Sequence, residues 1–114
     1  NDLKVFGVEI PESQFVQNLT SLGMRSGIDG VVSSPLELTK LKKKFGNKLT
    51  YVTPGIRLNK DIKNDQKRVS SPGQAVLDGS SLLVIGRPIT MSRNPIKRIE
   101  EILENIRESL ESRN

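Results

Sequence analysis

The stretch Leu82-Leu83-Val84-Ile85-Gly86-Arg87-Pro88-Ile89-Thr90 indicates the fold of this chain. Its four consecutive apolar residues, two of them β-branched, are typical of a strand that is buried on both faces, and such strands lie inside parallel sheets. The run ends at Gly86-Arg87, where glycine allows close approach to the backbone and the guanidinium offers bidentate hydrogen bonds. We therefore expect a central parallel strand with an anion site at its carboxyl end.

Strands and helices alternate on both sides of this stretch. Apolar residues recur at helical spacing between Gln14 and Arg25, and short apolar runs bounded by glycine or proline indicate strands. The predicted strands cover residues 3–10, 28–33, 49–53 and 82–85. The predicted helices cover residues 14–25, 35–45 and 72–78, and a last helix opens at Asn94-Pro95.

Local signals mark the helix ends. Ser34-Pro35-Leu36-Glu37 predicts a helix start in which serine caps, proline takes the first helical position and glutamate closes a capping box. The same arrangement, a capping serine followed by proline, occurs in Ser71-Pro72-Gly73-Gln74. Helix ends are predicted at Gly27, Gly46 and Gly79. The last helix carries an apolar stripe that we interpret as core packing: Ile96, Ile99, Leu103, Ile106 and Leu110.

The element order defines an α/β fold of four βα units with parallel strands, forming a single unit over residues 1–114. Two architectures fit: an open doubly wound sheet, or a piece of a (β/α)₈ TIM barrel. A complete barrel takes about 250 residues, so this chain is expected to form half of one. A half-barrel has two open sheet edges, so we expect it to pair with another chain or another copy.

Composition excludes several classes of site. The chain has no cysteine and no histidine, which excludes disulfides, zinc–thiolate sites and Ser-His-Asp catalysis within it. A net charge of +5 suits an anionic partner. Helical spacing spreads the lysines near residues 40–48 around the exposed side of the second predicted helix, which favours a solvated face over a nucleic-acid site. No transmembrane or signal-peptide pattern occurs, so we expect a cytoplasmic protein without a membrane partner.

Polar and basic residues follow two neighbouring predicted strands. Thr53-Pro54-Gly55-Ile56-Arg57 and a long polar loop come after one strand, and Gly86-Arg87 comes after the next. Ligands gather at the carboxyl ends of parallel strands, so two arginines and backbone amides are expected to converge on one dianion. Pro54-Gly55 predicts a type II turn under either interpretation. The alternative for Gly86-Arg87 is a strand-ending turn with a surface arginine, and the alternative for Arg57 and Gln66 is a solvated loop.

These same residues carry a family resemblance. The chain resembles the carboxyl-terminal half of orotidine 5′-phosphate decarboxylase of the bacterial type in four separated motifs: residues 27–34 (Gly-Ile-Asp-Gly-Val-Val-Ser-Ser), 52–57 (Val-Thr-Pro-Gly-Ile-Arg), 65–69 (Asp-Gln-Lys-Arg-Val) and 84–90 (Val-Ile-Gly-Arg-Pro-Ile-Thr). Agreement of several motifs is more specific than one short match. The resemblance implies a (β/α)₈ barrel that converts orotidine monophosphate to uridine monophosphate and CO₂ without cofactor or metal.

The resemblance also implies roles for individual residues. Arg57 and Gln66 would belong to a phosphate-gripping loop supported by Pro54 and Gly55, while Gly86 would bind phosphate through its amide and Arg87 through its side chain. The family's catalytic Asp-x-Lys-x-x-Asp pattern does not occur here.

We therefore assign no catalytic residue and expect the chain alone not to decarboxylate. The expected partners are a nucleotide monophosphate and either a second copy or a complementing amino-terminal half. The alternative is a non-catalytic α/β remnant that binds a phosphorylated ligand or a protein.

Overall fold

A computed structural model describes residues 10–58 and 69–113 of the chain. The predicted strand at residues 3–10 lies outside the described residues, apart from Ile10. A single turn of 3₁₀-helix, Gly46–Lys48, leads into the second strand. The strands are Gly30–Val32 (β1), Thr50–Thr53 (β2) and Leu82–Leu83 (β3). The helices are Glu12–Arg25 (α1), Pro35–Phe45 (α2), Pro72–Leu77 (α3), Arg87–Thr90 (α4) and Pro95–Ser112 (α5).

The three strands form one parallel sheet in the order β1-β2-β3. Val32 pairs with Val52, and Val52 pairs with Leu82, so one row of residues crosses the whole sheet. The α/β class and the parallel strands are confirmed. The central, doubly buried position predicted for residues 82–85 is wrong for the described chain, because β3 lies at the edge and β2 lies between its neighbours. An apolar run indicates that a strand is suited to burial, but it does not show which other strand or helix covers that strand.

Helices cover one face of the sheet. Tyr51 and Thr53 point to this face and are fully buried, and Tyr51 packs with Leu38 and Leu41 of α2. The Tyr51 hydroxyl donates to the Gly46 carbonyl at 2.8 Å, which ties the end of α2 to the middle of β2. The hydrophobic core of the described residues therefore lies between β2 and α2.

The opposite face lacks a cover among the described residues. Side chains alternate along a strand, so the residues next to Tyr51 and Thr53, and their partners in the row, point away from the helices. Val32 exposes 73% of its surface and Leu82 exposes 58%. We call this the uncovered face, and its residues are Val32, Val52, Leu82 and Val84.

Most of the predicted helix ends are confirmed. The Ser71 hydroxyl accepts a hydrogen bond from the Gln74 amide at 3.2 Å, and the Asn94 side chain accepts one from the Lys97 amide at 3.1 Å. Gly46, which ends α2, has φ +60°, a conformation that favours glycine.

The predicted capping box at Ser34 and Glu37 is wrong. Ser34 does precede Pro35 at the start of α2, but its hydroxyl makes no cap bond. The Glu37 amide donates instead to the Ser34 backbone carbonyl at 3.1 Å. The carbonyl thus takes the amide hydrogen bond that a capping box assigns to the Ser34 hydroxyl.

The last helix differs from its prediction in the face that it buries. Ile102 of α5 is buried, and α5 packs along α3. The predicted core stripe is wrong in this chain, because Ile96, Ile99 and Leu103 are exposed. The four-residue helix α4 was also not predicted; it begins at Arg87, where Pro88 suits a first helical turn.

Candidate functional site

The carboxyl ends of β2 and β3 lie side by side at the same end of the sheet. We call this end of the sheet its carboxyl edge, as distinct from the outer strand β3. The Val84 amide donates to the Thr53 carbonyl at 2.9 Å, so the ladder continues to the last residue of β2. Both segments that carry the predicted site therefore leave the sheet from the same edge. Such an edge is where ligands bind in parallel α/β sheets.

The segment after β2 turns sharply and is then tied down. Gly55 has φ +74°, which the predicted type II turn requires at its third residue. The Arg57 amide donates to the Ser70 carbonyl at 2.9 Å, and the Ser70 amide donates to the Gly55 carbonyl at 3.1 Å. These two bonds hold together the ends of the predicted phosphate loop. Gln66 of that loop lies outside the described residues.

The Arg57 side chain lies against its own backbone. Its Nη1 donates to the Ile56 carbonyl at 2.8 Å, and the residue is partly buried. Ile56 itself is fully buried and anchors this position. This bond uses one of the five N–H donors of the guanidinium, so the Nε–H and Nη2–H donors are not used by the Ile56 carbonyl.

Gly86 and Arg87 are open to solvent. Gly86 precedes α4, and a Cβ added there would meet nothing within 4 Å. The Gly86 carbonyl accepts from the amides of Ile89 and Thr90, each at 3.0 Å. Within residues 10–58 and 69–113, no hydrogen bond or ion pair engages the Arg87 guanidinium. The structure thus places Arg57, Gly86 and Arg87 on one edge of the sheet, and their binding of phosphate stays a prediction.

Four buried polar side chains near this edge were missed by sequence reasoning. Their oxygens have no hydrogen-bond partner within the part of the chain that the structure describes: Ser33 Oγ, Ser34 Oγ, Glu37 Oε2 and Thr53 Oγ1. An unpaired buried polar group costs about 1–3 kcal/mol, so these four oxygens lower the stability of the described chain near this edge. A usable signal was present in the sequence, because hydroxyl residues stand at the carboxyl ends of two strands.

A cavity of about 520 Å³ beside α5 does not suit a phosphate. Leu58 and Lys97 contribute to its lining, but so do the carboxylates of Glu100, Glu101, Glu104 and Glu108. Like charges would repel a dianion there. Arg57, Gly86 and Arg87 are not among the residues that line it, so the predicted phosphate site and this cavity are separate features.

The described residues lack two further kinds of feature. They contain no group of three or more His, Cys, Asp or Glu side chains placed to hold a metal ion. They also contain no helix that is long and apolar enough to span a membrane.

Comparisons with known proteins match nearly the whole chain. The family model described as "Orotidine 5'-phosphate decarboxylase / HUMPS family" matches residues 4–102. The chain is 45% identical over 107 residues to an orotidine 5′-phosphate decarboxylase of Coxiella burnetii (strain RSA 331 / Henzerling II), covering 94% of this chain and 45% of that protein. It is 48% identical over 91 residues to the protein of that name from Wigglesworthia glossinidia brevipalpis, covering 80% of this chain and 39% of that protein.

A solved structure shares the fold. The crystal structure of orotidine 5′-phosphate decarboxylase from Lactobacillus acidophilus superposes with a TM-score of 0.72 at 36% identity. The match covers 87% of this chain and 39% of that one. The chain thus spans less than half the length of these relatives.

Proposed function

The chain belongs to the orotidine 5′-phosphate decarboxylase / HUMPS family, and on that basis we propose that it supplies the phosphate-binding part of an active site that converts orotidine monophosphate to uridine monophosphate and CO₂. The observation that carries this proposal is the common edge from which Arg57 and Gly86-Arg87 leave two paired strands. Both segments fall inside the stretch that the family model matches.

Each residue has a distinct proposed role. The Gly86 amide donates to a phosphate oxygen, and the open space at its Cα lets the phosphate approach. Arg87, whose guanidinium is exposed, forms charge-assisted bonds to the same group. Arg57 binds the same group through its Nε and Nη2 donors while Nη1 stays on the Ile56 carbonyl, and Pro54 and Gly55 shape the turn that presents it. Gln66 is assigned by family resemblance alone.

A grip on phosphate helps the reaction from a distance. Binding energy from a remote part of a substrate can be used to close and assemble the site around the reacting part. The proposed reaction assigns no metal or cofactor to this chain, and its location in the cytoplasm stays a prediction. The carboxylates and lysines of the family's catalytic pattern have to come from outside the 114 residues.

We propose that a complementing amino-terminal half of the barrel supplies them, in the same or another polypeptide. The uncovered face supports this partner, because parallel sheets are normally covered on both sides and Val32 and Leu82 are not. The exposed stripe of α5 is a second apolar surface without cover in the described chain, with Leu103 exposing 60%. The relatives are more than twice as long as the matched stretch, which leaves ample chain to bury both surfaces.

The phosphate role is tested by titrating uridine monophosphate into the chain with Arg87→Ala. Hydrogen bonds to charged groups contribute about 1.5–3 kcal/mol, so we expect affinity to fall roughly 10- to 150-fold. Arg25→Ala is the matched control, because Arg25 ends α1 at the opposite edge of the sheet and carries the same charge. Equal affinity for parent and Arg87→Ala, or equal losses in both variants, contradicts the assignment.

The partner is tested by mixing the chain with the part of the Coxiella burnetii relative that it does not match. We expect a one-to-one complex in sedimentation, and turnover of orotidine monophosphate only in the mixture. Leu82→Lys on the uncovered face should prevent the complex, whereas Leu36→Lys, at an exposed leucine of α2, should not. Self-association of the chain into stable dimers that ignore the added half would favour a second copy as the partner.

A further inference from the structure

Asn105 of α5 holds the first turn of α3. Its Oδ1 accepts a hydrogen bond from the Gly73 amide at 2.8 Å. Gly73 is the second residue of α3, so its amide has no partner within that helix. Ser71 satisfies the Gln74 amide of the same turn from within the segment. The first turn of α3 is therefore capped partly by its own serine and partly by a distant helix.

This turn is connected by hydrogen bonds to the predicted phosphate loop. Ser70, three residues before Gly73, bonds to the Arg57 amide through its carbonyl and to the Gly55 carbonyl through its amide. A shift of residues 70–73 therefore moves the backbone of Arg57. Asn105 lies 48 residues from Arg57 in sequence, yet only this short chain of bonds separates them.

The helices α3 and α5 are packed so closely at Gly73 that one cannot move toward the other. A Cβ placed at Gly73 would lie 2.8 Å from the Asn105 carbonyl oxygen, which is too close for any carbon atom. The two helices thus touch backbone to backbone at the point where Asn105 Oδ1 accepts the hydrogen bond from the Gly73 amide. The position of α5 consequently fixes the position of the first turn of α3.

We propose that Asn105 is a positioning residue for phosphate binding, acting through Gly73 and Ser70 on Arg57. The proposal rests on the proposed function, since it assumes that Arg57 contacts the phosphate. The proposed effect is specific to Arg57 and is not a general loss of stability. Loss of the Asn105 acceptor lets residues 70–73 shift, and this shift weakens the contribution of Arg57 to phosphate binding but not that of Arg87.

A double-mutant cycle separates this role from a general structural one. The affinity for uridine monophosphate is measured for Asn105→Ala as a single variant and for the same substitution in the Arg57→Ala and Arg87→Ala backgrounds. The complementing half is present in every titration. We expect Asn105→Ala to weaken binding about 2- to 10-fold in the parent and in the Arg87→Ala background, as for one lost hydrogen bond. In the Arg57→Ala background we expect no further loss. Asn105→Asp keeps the acceptor and should restore parental affinity.

Amide hydrogen exchange tests the same proposal without ligand. In Asn105→Ala, the Gly73 and Arg57 amides should exchange faster, while the Ser33 amide, bonded to the Val52 carbonyl, keeps its rate. Equal binding losses in all three backgrounds, or an Arg57 amide whose exchange is unchanged, would overturn the proposal. If the parent fails to bind uridine monophosphate, the proposed function fails, and the exchange experiment still decides whether Asn105 positions Arg57.

Discussion

Gly73→Ala should destabilise the chain by forcing α3 and α5 apart. A methyl group at this position would clash with Ser109 Oγ and would lie 2.6 Å from Ser109 Cβ and 2.8 Å from the Asn105 carbonyl oxygen. The Ser109 hydroxyl could rotate away, but its Cβ and the backbone oxygen cannot. The helices must therefore separate, which also stretches the bond from the Gly73 amide to Asn105 Oδ1.

The size of the effect follows from three contributions. Overpacking a tight contact costs about 1–3 kcal/mol. Losing the Gly73 hydrogen bond adds about 0.5–1.5 kcal/mol. The lower entropy of the unfolded chain with alanine returns about 0.4–1 kcal/mol. The expected net loss is about 2 kcal/mol in the free energy of unfolding, which corresponds to a drop in melting temperature of roughly 8 °C for a domain of this size.

Urea unfolding followed by circular dichroism measures this loss. Gly86→Ala is the matched control, because an added Cβ there meets nothing within 4 Å, and we expect its stability to stay within about 0.5 kcal/mol of the parent. Adding Ser109→Gly to Gly73→Ala removes two of the three close contacts and should recover part of the loss, despite the cost of a helical glycine. A Gly73→Ala chain as stable as the parent would refute the described packing of α3 on α5.

The other predictions concern pH. Burial raises the pKa of the Tyr51 phenol above its ordinary value of 10.0, so its contribution to stability is complete below that pH and is lost as the pH rises toward the raised value. Tyr51 is the chain's one tyrosine and there is no tryptophan, so phenolate absorbance should report a late titration, and Tyr51→Phe should remove this part of the alkaline loss of stability. Arg107 holds the pKa of the exposed Glu104 carboxyl below its ordinary 4.5, so this pair stabilises α5 at neutral pH and stops doing so as the pH falls through the lowered pKa. Glu104→Gln should therefore lower the melting temperature slightly at neutral pH and low salt but not in strong acid, and an equal effect at both would contradict the ion pair.

Local signals in the sequence predicted local structure well. Ser71 and Asn94 cap their helices as their residue types suggest, and Gly46 ends α2 with a positive φ. These features depend on a few neighbouring residues, so a single sequence contains the information. Gly55 belongs to the same group, because a type II turn requires its conformation.

Contacts between distant residues could not be predicted in this way. The hydrogen bond between Asn105 and Gly73 joins positions 32 residues apart, and nothing in the spacing of α5 distinguishes Asn105 from its polar neighbours. The hydrogen bond from the Arg57 guanidinium to the Ile56 carbonyl is local, but it was not predicted either, because residue type does not fix which acceptor each of the five N–H donors takes. The capping box at Ser34 is a local prediction that also failed, because the Glu37 amide has two acceptors on the same residue and bonds to the Ser34 carbonyl instead of the hydroxyl.

The two largest errors share one physical cause. The strand at 82–85 was expected inside the sheet, and the stripe on α5 was expected in the core, yet Leu82 and Leu103 are exposed. Both predictions were based on the pattern of apolar residues. That pattern indicates how much apolar surface a segment needs to bury, but it does not show whether this chain itself covers that surface. The chain also matches relatives more than twice its length. The surfaces on which the pattern failed are thus the surfaces that the proposed complementing half would cover, and burial of Leu82 and Leu103 on complex formation would account for both errors together.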